Sequence, residues 1–175
     1  MGSPVYVWLA TVQDAHELLL ELAWTLVDNP ALGHDESGRP EIPGLAVSVS
    51  RTHHLVAVAA SYDGPLGIDL EERRPRRFAP LADRWFTATE VAWMRDQPDQ
   101  LNAFLHLWTA KEALGKALGV GLRGLRQEVP IGGGKIESAP GLAVTYLPCT
   151  EGVLALAAPV GVRIEQRGPL GVIDS

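Results

Sequence analysis

Two short apolar segments occur twice in this chain, and this repeat is the strongest constraint on its fold. Residues 43–49 read Pro-Gly-Leu-Ala-Val-Ser-Val, and residues 140–146 read Pro-Gly-Leu-Ala-Val-Thr-Tyr. A second segment recurs as Leu-Val-Ala-Val-Ala-Ala at 55–60 and Val-Leu-Ala-Leu-Ala-Ala at 153–158. This spacing is far longer than the period of a solenoid. Chance similarity between strands rich in Ala, Val and Leu is one explanation. The other is an α+β fold of two similar halves related by a pseudo-twofold axis, with a site in the cleft between them.

The rest of the pattern supplies strands and helices to both halves. Alternating or β-branched apolar runs predict strands, and apolar residues at helical spacing predict helices. The expected elements are a strand over 5–12, a helix over 15–27 capped by Asp14, a loop over 29–43, strands over 45–50, 55–61 and 66–70, a charged loop over 71–77, helices over 79–94 (with a break left open at 87–89) and 99–118, a Gly-rich connection over 121–134, strands over 135–138, 142–147 and 153–158, and a loose tail from 166. They divide the chain into a shortened N-terminal half (1–65), a C-terminal half (66–165) and a tail (166–175).

Charge and composition exclude several classes of function. The 175 residues carry a formal net charge of −6, so the chain lacks the positive field that holds a nucleic acid. Cys149 is the only cysteine, which rules out an intrachain disulfide and thiolate metal clusters. The longest apolar run, 18–27, contains Glu21 and is too short to span a bilayer, and residues 1–9 lack the pattern of a signal peptide. We therefore expect a cytoplasmic protein with no nucleic-acid or membrane partner.

Two acidic side chains lie at the end of the predicted strand over 66–70, in the motif Gly67-Ile-Asp-Leu-Glu71. Because alternate residues of a strand share a face, Asp69 and Glu71 point together while Ile68 and Leu70 point into the core. Neighbouring carboxylates repel each other unless a cation lies between them, and hard oxygen ligands suit Mg²⁺. The alternative is a polar strand end that enters a charged loop.

A second motif lies on the long helix, in Trp108-Thr-Ala-Lys-Glu-Ala-Leu-Gly-Lys116. Trp108, Glu112 and Lys116 are spaced i, i+4 and i+8, so they line one helical stripe. Glu112 could supply a third oxygen ligand and Lys116 a cation for phosphate. The alternative is an exposed Glu–Lys pair that stabilises the helix by a few tenths of a kcal/mol.

Further cationic groups lie in the turn between the strands over 45–50 and 55–61 and in the charged loop over 71–77. Arg51, His53 and His54 are potential anion donors, although adjacent histidines of a strand point to opposite faces and chelate a metal poorly. Four arginines lie within residues 73–77. They form either a solvated loop or a binding surface for a polyanion. Residues 132–134 lack the flanking strand and helix of a phosphate-binding loop, so they are read as a flexible turn.

In their order and spacing these motifs resemble the 4′-phosphopantetheinyl transferase superfamily, especially its single-chain, pseudo-dimeric Sfp-type members. The similarity covers roughly residues 14–158. The segments that match the family patterns are Gly38-Arg-Pro40, Ser48-Val-Ser-Arg-Thr52, Gly67-Ile-Asp-Leu-Glu71, Phe86-Thr-Ala-Thr-Glu90, Trp108-Thr-Ala-Lys-Glu-Ala-Leu-Gly-Lys116 and Gly119-Val-Gly-Leu122.

The resemblance implies transfer of the phosphopantetheine arm of coenzyme A to a serine of an acyl- or peptidyl-carrier protein, with release of 3′,5′-ADP, in fatty acid, polyketide or nonribosomal peptide biosynthesis. It also implies that Asp69, Glu71 and Glu112 hold Mg²⁺ and that Lys116 stabilises charge on the phosphates. Glu112, Glu71 or a metal-bound hydroxide would take the serine proton. Glu90 is expected to cap or orient rather than to ligate. The residues expected to contact coenzyme A are Arg39, Arg51, His53, Lys111 and Lys116.

Three departures from the family pattern leave alternatives open. Arg51 stands where the family has a histidine, Glu17 stands where a basic residue is common, and the N-terminal half is short. Weaker coenzyme A binding or help from a second subunit would follow. The alternative function is a non-catalytic homologue that binds coenzyme A or a carrier protein, and an unrelated Mg²⁺-dependent hydrolase is a third reading. Arginines of 73–77 and 122–126 are either a surface for an acidic carrier protein or plain loop arginines.

Overall fold

The computed structural model describes residues 2–11 and 13–170, which form a mixed α+β fold. As expected, the long amphipathic segment after Asp99 is helical, and it ends where Gly119 adopts a left-handed conformation with φ of 68°. The elements in chain order are β1 Val5–Thr11, α1 Ala15–Trp24, β2 Gly33–His34, β3 Pro40–Glu41, β4 Ala46–Arg51, β5 Leu55–Ser61, β6 Gly67–Glu72, α2 Ala79–Trp85, α3 Ala88–Arg95, α4 Gln100–Leu118, a 3-10 helix Gly121–Arg126, β7 Gly134–Lys135, β8 Leu142–Leu147, β9 Gly152–Pro159 and β10 Ile164–Leu170.

The strands form two four-stranded sheets and one short hairpin. The first sheet has the order β10-β1-β5-β4, and the second has the order β6-β9-β8-β7. The small β2–β3 hairpin lies inside the segment that was expected to be a loop. Both copies of the sequence repeat form antiparallel hairpins, β4–β5 in the first sheet and β8–β9 in the second.

The alternation of side chains along the central strands builds four layers. On β5, Leu55, Ala57 and Ala59 face β6 and β9, while the alternate residues pack against α1. On β9, Leu154 and Leu156 face the first sheet, while the alternate residues pack against α4 and its neighbours. The layers therefore run helix, sheet, sheet, helices, with one apolar core between the sheets and one under each helical layer.

The C-terminal segment differs from the expected loose tail. Residues 164–170 form β10, which pairs in parallel with β1 from Val5↔Ile164 to Ala10↔Leu170. Little in the local pattern indicates this strand, because its partner β1 lies more than 150 residues away and Gly168 and Pro169 interrupt the apolar pattern. Residues 171–175 of the expected tail, and residue 12 of the expected first strand, lie outside the described residues.

Other boundaries shift by a few residues. Helix α1 ends at Trp24 rather than at residue 27, and β6 continues through Glu72 into the expected charged loop. The break left open at 87–89 is present, because Thr87 caps α3 and forms a reciprocal capping box with Glu90. The 3-10 helix occupies part of the Gly-rich connection, and the strand expected over 135–138 is only the two residues of β7.

Candidate functional site

The site forms where α4 crosses β6 at close range. Gly67 makes this contact possible: a Cβ atom there would lie 2.1 Å from the carbonyl oxygen of Ala113 and 2.5 Å from the amide nitrogen of Ala117. No other residue type fits under the helix without moving it. The close contact places the Glu112 and Lys116 side of α4 beside the acidic residues of β6.

Lys116 is the central contact of this cluster. Its Nζ donates hydrogen bonds to the carbonyl oxygens of Val49 on β4 (3.1 Å) and Ile68 on β6 (2.8 Å), and to Oδ1 of Asp69 (3.1 Å). An ammonium group has three hydrogens, so these three acceptors match its donor capacity. The side chain thus ties the second helical layer to both sheets.

Asp69 is buried and only partly satisfied. Its Oδ1 accepts hydrogen bonds from Lys116 and from the Ser50 hydroxyl (3.3 Å), whereas its Oδ2 is buried without a hydrogen-bond partner. The pKa of Asp69 is raised to about 7: burial is the largest cause, Lys116 opposes it, and Glu112 and Glu71 reinforce it. A buried carboxylate oxygen that lacks a partner is an unusual cost in a folded protein, and a bound cation would remove it.

Glu71 and Glu112 complete the acidic cluster. Oε2 of Glu71 accepts a hydrogen bond from Nη1 of Arg76 at 3.0 Å. Glu112 lines the cavity described below; burial raises the pKa of its carboxyl, Lys116 lowers it, and Glu71 raises it. Asp69 and Glu71 are alternate residues of β6, and Glu112 lies one helical turn before Lys116, which contacts Asp69.

The oxygen donors of this cluster fit a hard divalent cation, and the orphaned Oδ2 of Asp69 is the position that most needs one. In residues 2–11 and 13–170, however, no group of three His, Cys, Asp or Glu side chains is arranged to hold a metal ion as it stands. The assignment of Asp69, Glu71 and Glu112 as metal ligands therefore stays a prediction.

A cavity of about 640 Å³ opens beside the cluster. Its walls are the loop around residues 37–40, strand β4, the C-terminal half of α4 and the 3-10 helix, and Glu112 and Lys116 line it. Arg39 also lines it and donates from Nη2 to the carbonyl oxygen of Lys116 at 2.6 Å. Two cations and one carboxylate named from the sequence thus meet at one cavity.

Two other residues expected to contact coenzyme A lie elsewhere. Arg51 and His53 are exposed at the β4–β5 turn, and neither is among the described residues that line this cavity. The His53 ring packs edge-to-face against His54, with 4.7 Å between ring centroids. A role of these two residues in coenzyme A binding stays a prediction.

Lys111 requires a correction. The sequence analysis expected it to contact coenzyme A, but the side chain is fully buried and forms an ion pair with Glu90, with 2.7 Å between Nζ and Oε1. Its Nζ also donates to the carbonyl oxygen of Gln127 at 2.6 Å. Lys111 is one residue before Glu112, which turns it about 100° around the helix toward the buried layer. It has no access to a ligand in the cavity.

Glu90 has the orienting role expected of it. Its Oε1 accepts from the amide of Thr87 (2.9 Å), and its Oε2 accepts from the amide of Val129 (3.1 Å). Together with Lys111, these contacts fix α3, α4 and the segment after the 3-10 helix to one another. Burial lowers the pKa of Lys111, and Glu90 opposes this effect.

The sequence analysis did not identify a polar network centred on Glu72. This carboxylate accepts hydrogen bonds from the Thr52 hydroxyl and the His54 amide (2.8 Å), and it forms an ion pair with Nε of Arg74 (2.9 Å). The Thr52 hydrogen bond, opposed by burial and reinforced by His54 and Arg74, lowers the pKa of Glu72 to about 2. Glu72 thereby anchors the β4–β5 turn, which carries Arg51, to β6.

The analysis also gave no role to the two buried serines of β4. The amide of Ile68 donates to Oγ of Ser48, and the amide of Leu70 donates to Oγ of Ser50, each at 3.0 Å. These hydroxyls accept hydrogen bonds from backbone amides on the edge of β6 that faces away from β9, and they join the two sheets. Their i, i+2 spacing on a strand was the signal available in the sequence, because it places both hydroxyls on one face.

The described residues, 2–11 and 13–170, contain four α-helices and one 3-10 helix. None of them combines the length and the apolar character needed to cross a membrane.

Comparison with known proteins gives a consistent family. Residues 65–131 match the model of the 4′-phosphopantetheinyl transferase superfamily. The chain is 33% identical over 125 residues to the 4′-phosphopantetheinyl transferase HetI of Nostoc sp., a match that covers 67% of this chain and 53% of HetI. It is 35% identical over 91 residues to Sfp of Bacillus subtilis (50% and 40% covered), and 34% identical over 96 residues to AcpT of Salmonella typhi (51% and 50% covered).

The chain thus spans about half the length of the curated relatives it matches. The matched region contains β6, α4 and all of the charged side chains that meet there, Asp69, Glu71, Glu112 and Lys116. The resemblance expected from the sequence is confirmed: the region from 65 to 131 belongs to the 4′-phosphopantetheinyl transferase superfamily.

Proposed function

We propose that this protein transfers the 4′-phosphopantetheine arm of coenzyme A to a serine hydroxyl of an acyl- or peptidyl-carrier protein. The serine oxygen attacks the pyrophosphate phosphorus that bears the arm, the bond to the bridging oxygen breaks, and 3′,5′-ADP leaves with the electron pair. The observation that carries the proposal is the cluster of Asp69, Glu112 and Lys116 beside a cavity of about 640 Å³, within the region that matches the family.

The acidic cluster is proposed to hold Mg²⁺ through Asp69, Glu71 and Glu112. Magnesium, when bound, would neutralise charge on the pyrophosphate. The unpartnered Oδ2 of Asp69 supports this assignment, because it is the buried oxygen without another partner. Lys116 holds Asp69 in place, and its partly exposed side chain lines the cavity, so its positive charge would attract a phosphate bound there.

Glu112 is our candidate for the group that takes the serine proton. Its carboxylate lines the cavity, and burial raises its pKa, which makes it a better base than an exposed glutamate. Glu71 is the weaker candidate because Arg76 occupies one of its oxygens.

Coenzyme A is proposed to bind in the cavity itself. Arg39 and Lys116 offer cations to its phosphates, and apolar residues of β4 and of the segment after α4 offer a wall to its uncharged parts. The cavity has the volume of a site for a ligand of this size class.

We further propose that residues 1–65 and 66–165 are two halves related by a pseudo-twofold axis. The matching hairpins β4–β5 and β8–β9, each beside its own helical layer, support this relation. The cavity lies between the 37–40 loop and β4 on one side and α4 on the other, as expected for a cleft between two halves.

The carrier protein is proposed to dock near the arginines of 73–77 and 122–126. Arg123 lines the cavity mouth, and Arg126 lies over the Trp85 ring at 5.0 Å. A basic and aromatic surface beside the cavity would suit an acidic partner.

Mass spectrometry of an apo carrier protein tests the proposal directly. The carrier, incubated with coenzyme A, Mg²⁺ and this protein, should gain the mass of the phosphopantetheine arm. Asp69→Ala and Glu112→Ala should each lower the rate at least about a hundredfold, since they remove charge complementarity to the transition state. Asp83→Ala, on the exposed side of α2, is the matched control and should leave the rate unchanged. Binding of coenzyme A without any mass gain across several carriers would favour the non-catalytic homologue instead.

A further inference from the structure

Two histidines that take no part in the proposed transfer meet at the surface of the N-terminal half. His16 is the second residue of α1, and His34 is the last residue of β2. Their Nε2 atoms lie 3.4 Å apart, and their rings meet edge-to-face at 84° with 5.0 Å between centroids. These residues are 18 positions apart in the chain, so the fold itself brings the two nitrogens together.

Both imidazoles stand on fixed backbone. The amide of His16 donates to Oδ1 of the helix cap Asp14 at 2.8 Å, and His34 pairs with Pro40 in the β2–β3 hairpin. Two ligands held by separate elements lose less conformational entropy on binding an ion than two free side chains do.

The separation of the nitrogens fits joint coordination of one metal ion. It exceeds the usual 2.7–3.2 Å range of hydrogen bonds donated by nitrogen. A tetrahedral metal with metal–nitrogen bonds of about 2.0–2.1 Å places two of its nitrogen ligands about 3.3–3.4 Å apart. The pair of Nε2 atoms therefore matches two corners of such a tetrahedron.

We propose that His16 and His34 form a binding site for a transition-metal ion of the Zn²⁺ class. Imidazole nitrogen suits Zn²⁺, Ni²⁺ and Cu²⁺, whereas Mg²⁺ prefers oxygen. Within the described part of the chain, no further His, Cys, Asp or Glu side chain completes a three-ligand group here, so water or an exogenous ligand fills the remaining positions. The site is therefore open and reversible.

Occupation of this site would connect α1 to the β2–β3 hairpin. Between the two strands of that hairpin, Asp35 accepts from the amides of Ser37 and Arg39 and so shapes the loop that forms one wall of the main cavity. An ion bound by His16 and His34 would thus hold the wall that carries Arg39.

A second histidine pair provides an internal control. The rings of His53 and His54 also meet edge-to-face, at 4.7 Å. These two residues are adjacent in sequence, and Nδ1 of His54 contacts Oε2 of Glu72 at 3.2 Å and Nη2 of Arg74 at 2.9 Å. The geometry that qualifies His16 and His34 is absent from this pair.

Calorimetric titration of Zn²⁺ into the full chain, with Mg²⁺ in large excess to occupy oxygen ligands, tests the proposal. Wild type and His53→Gln should bind one Zn²⁺ at this site. His16→Gln and His34→Gln should each weaken that binding at least about tenfold, since each removes one of two protein ligands. Unchanged Zn²⁺ affinity in both variants would overturn the assignment.

Thermal melting supplies a second readout that does not depend on any transfer activity. Zn²⁺ should raise the melting temperature of wild type and His53→Gln, because a ligand that binds the folded state stabilises it. It should leave His16→Gln and His34→Gln unshifted. An equal rise in all four proteins would place the ion elsewhere and contradict the proposal, whatever the outcome of the carrier-protein assay.

Discussion

Among single residues, Lys116 has the widest structural influence. It bonds to β4 and β6 through two backbone carbonyls and neutralises the buried Asp69. A lysine with this many contacts is part of the fold as well as of the proposed site. Its neighbour Lys111, buried in the ion pair with Glu90, is only structural.

Removal of the Lys116 charge should therefore cost stability. Lys116→Met leaves Asp69 buried beside two carboxylates, and we expect a loss of about 1–3 kcal/mol in the free energy of unfolding. Asp69→Asn in the same chain should restore part of that loss, because it removes the uncompensated charge. Urea unfolding of the two single variants and the double variant measures the coupling. If the losses in the free energy of unfolding of the two single variants simply add in the double variant, Lys116 and Asp69 do not interact.

The ion pair between Glu90 and Lys111 should also stabilise the fold, and it is more deeply buried than the pair of Lys116 and Asp69. Glu90→Ala should cost about 3–5 kcal/mol, because it strands a buried ammonium group and two buried amides. Lys111→Met combined with Glu90→Gln should cost less than Glu90→Ala alone, since no buried charge remains unpaired. Chemical denaturation of the three proteins decides the order. A smaller loss for Glu90→Ala than for the double variant would refute it.

The lowered pKa of Glu72 predicts that the stability of the folded protein depends on pH. The Glu72 pKa of about 2 in the folded protein lies below its ordinary value of 4.5, so the folded state binds the proton less readily than the unfolded state. The stabilisation is fully present above about pH 4.5 and is lost as the pH falls toward 2. The stability difference between wild type and Glu72→Gln should shrink over that window in pH-dependent melts. A difference that stays constant from pH 7 to pH 2.5 would show that the charge of Glu72 is not responsible.

Among the elements, strand β6 is the one on which the site depends. It pairs with β9 on one edge, and its other edge is satisfied by the hydroxyls of Ser48 and Ser50 instead of a neighbouring strand. One face of β6 packs in the core between the sheets, and the other lies against α4, where Asp69 is buried beside Lys116.

Loss of these hydroxyls should weaken the contact between the sheets. Ser48→Ala and Ser50→Ala each leave a buried amide of β6 unpaired, at a cost of about 1–3 kcal/mol. Thr145→Ala removes a hydroxyl from the exposed face of β8 and should change stability by less than about 0.5 kcal/mol. Hydrogen exchange at Ile68 and Leu70 should accelerate in the serine variants only. Equal protection in all three proteins would contradict the assigned role.

Elements with a strong local pattern were predictable from the sequence. Helix α4, the β4–β5 and β8–β9 hairpins and the break at Thr87 follow from periodicity and capping residues, and the structure has all of them. The β2–β3 hairpin and β10 were missed. A two-residue strand has no period to detect, and β10 depends on a partner more than 150 residues away.

The residues of the candidate site were likewise predicted only in part. Strand alternation correctly put Ile68 and Leu70 in the core and Asp69 on the opposite face, and helical spacing put Glu112 and Lys116 on one stripe. The contact predicted between Lys111 and coenzyme A was wrong, because residue spacing along α4 does not reveal that Lys111 forms a buried ion pair with Glu90 of α3. The Glu72 network was missed for the same reason, since its partners come from a different strand pair.

At the scale of the whole molecule, the main cavity lies between β4 and the 37–40 loop on one side and α4 and the 3-10 helix on the other. The hydrogen bond from Arg39 to the Lys116 carbonyl, and the bond from Lys116 to Val49, cross between the β2–β4 region and α4. Substrate binding at this cavity would therefore depend on how well both halves of the chain are assembled.

Strand β10 should be essential to that assembly. A chain that ends at residue 163 exposes the edge of β1 and loses the Ile164 contact with the core between the sheets. We expect it to melt at a lower temperature and to aggregate at concentrations where the control stays monodisperse. A chain that ends at Leu170 keeps the described β10 pairings and is that control. Matching melting curves for the two truncated chains would refute this requirement.

The parallel pairing of β10 with β1 also bears on how the protein is made. A ribosome releases β1 long before it synthesises β10, so β1 must wait with one edge unpaired while about 150 further residues emerge. The hairpin β4–β5 can cover its opposite edge early, but closure of the outer edge is postponed until residues 164–170 have been translated. Nascent chains stalled before residue 164 are thus the species that most need protection by chaperones.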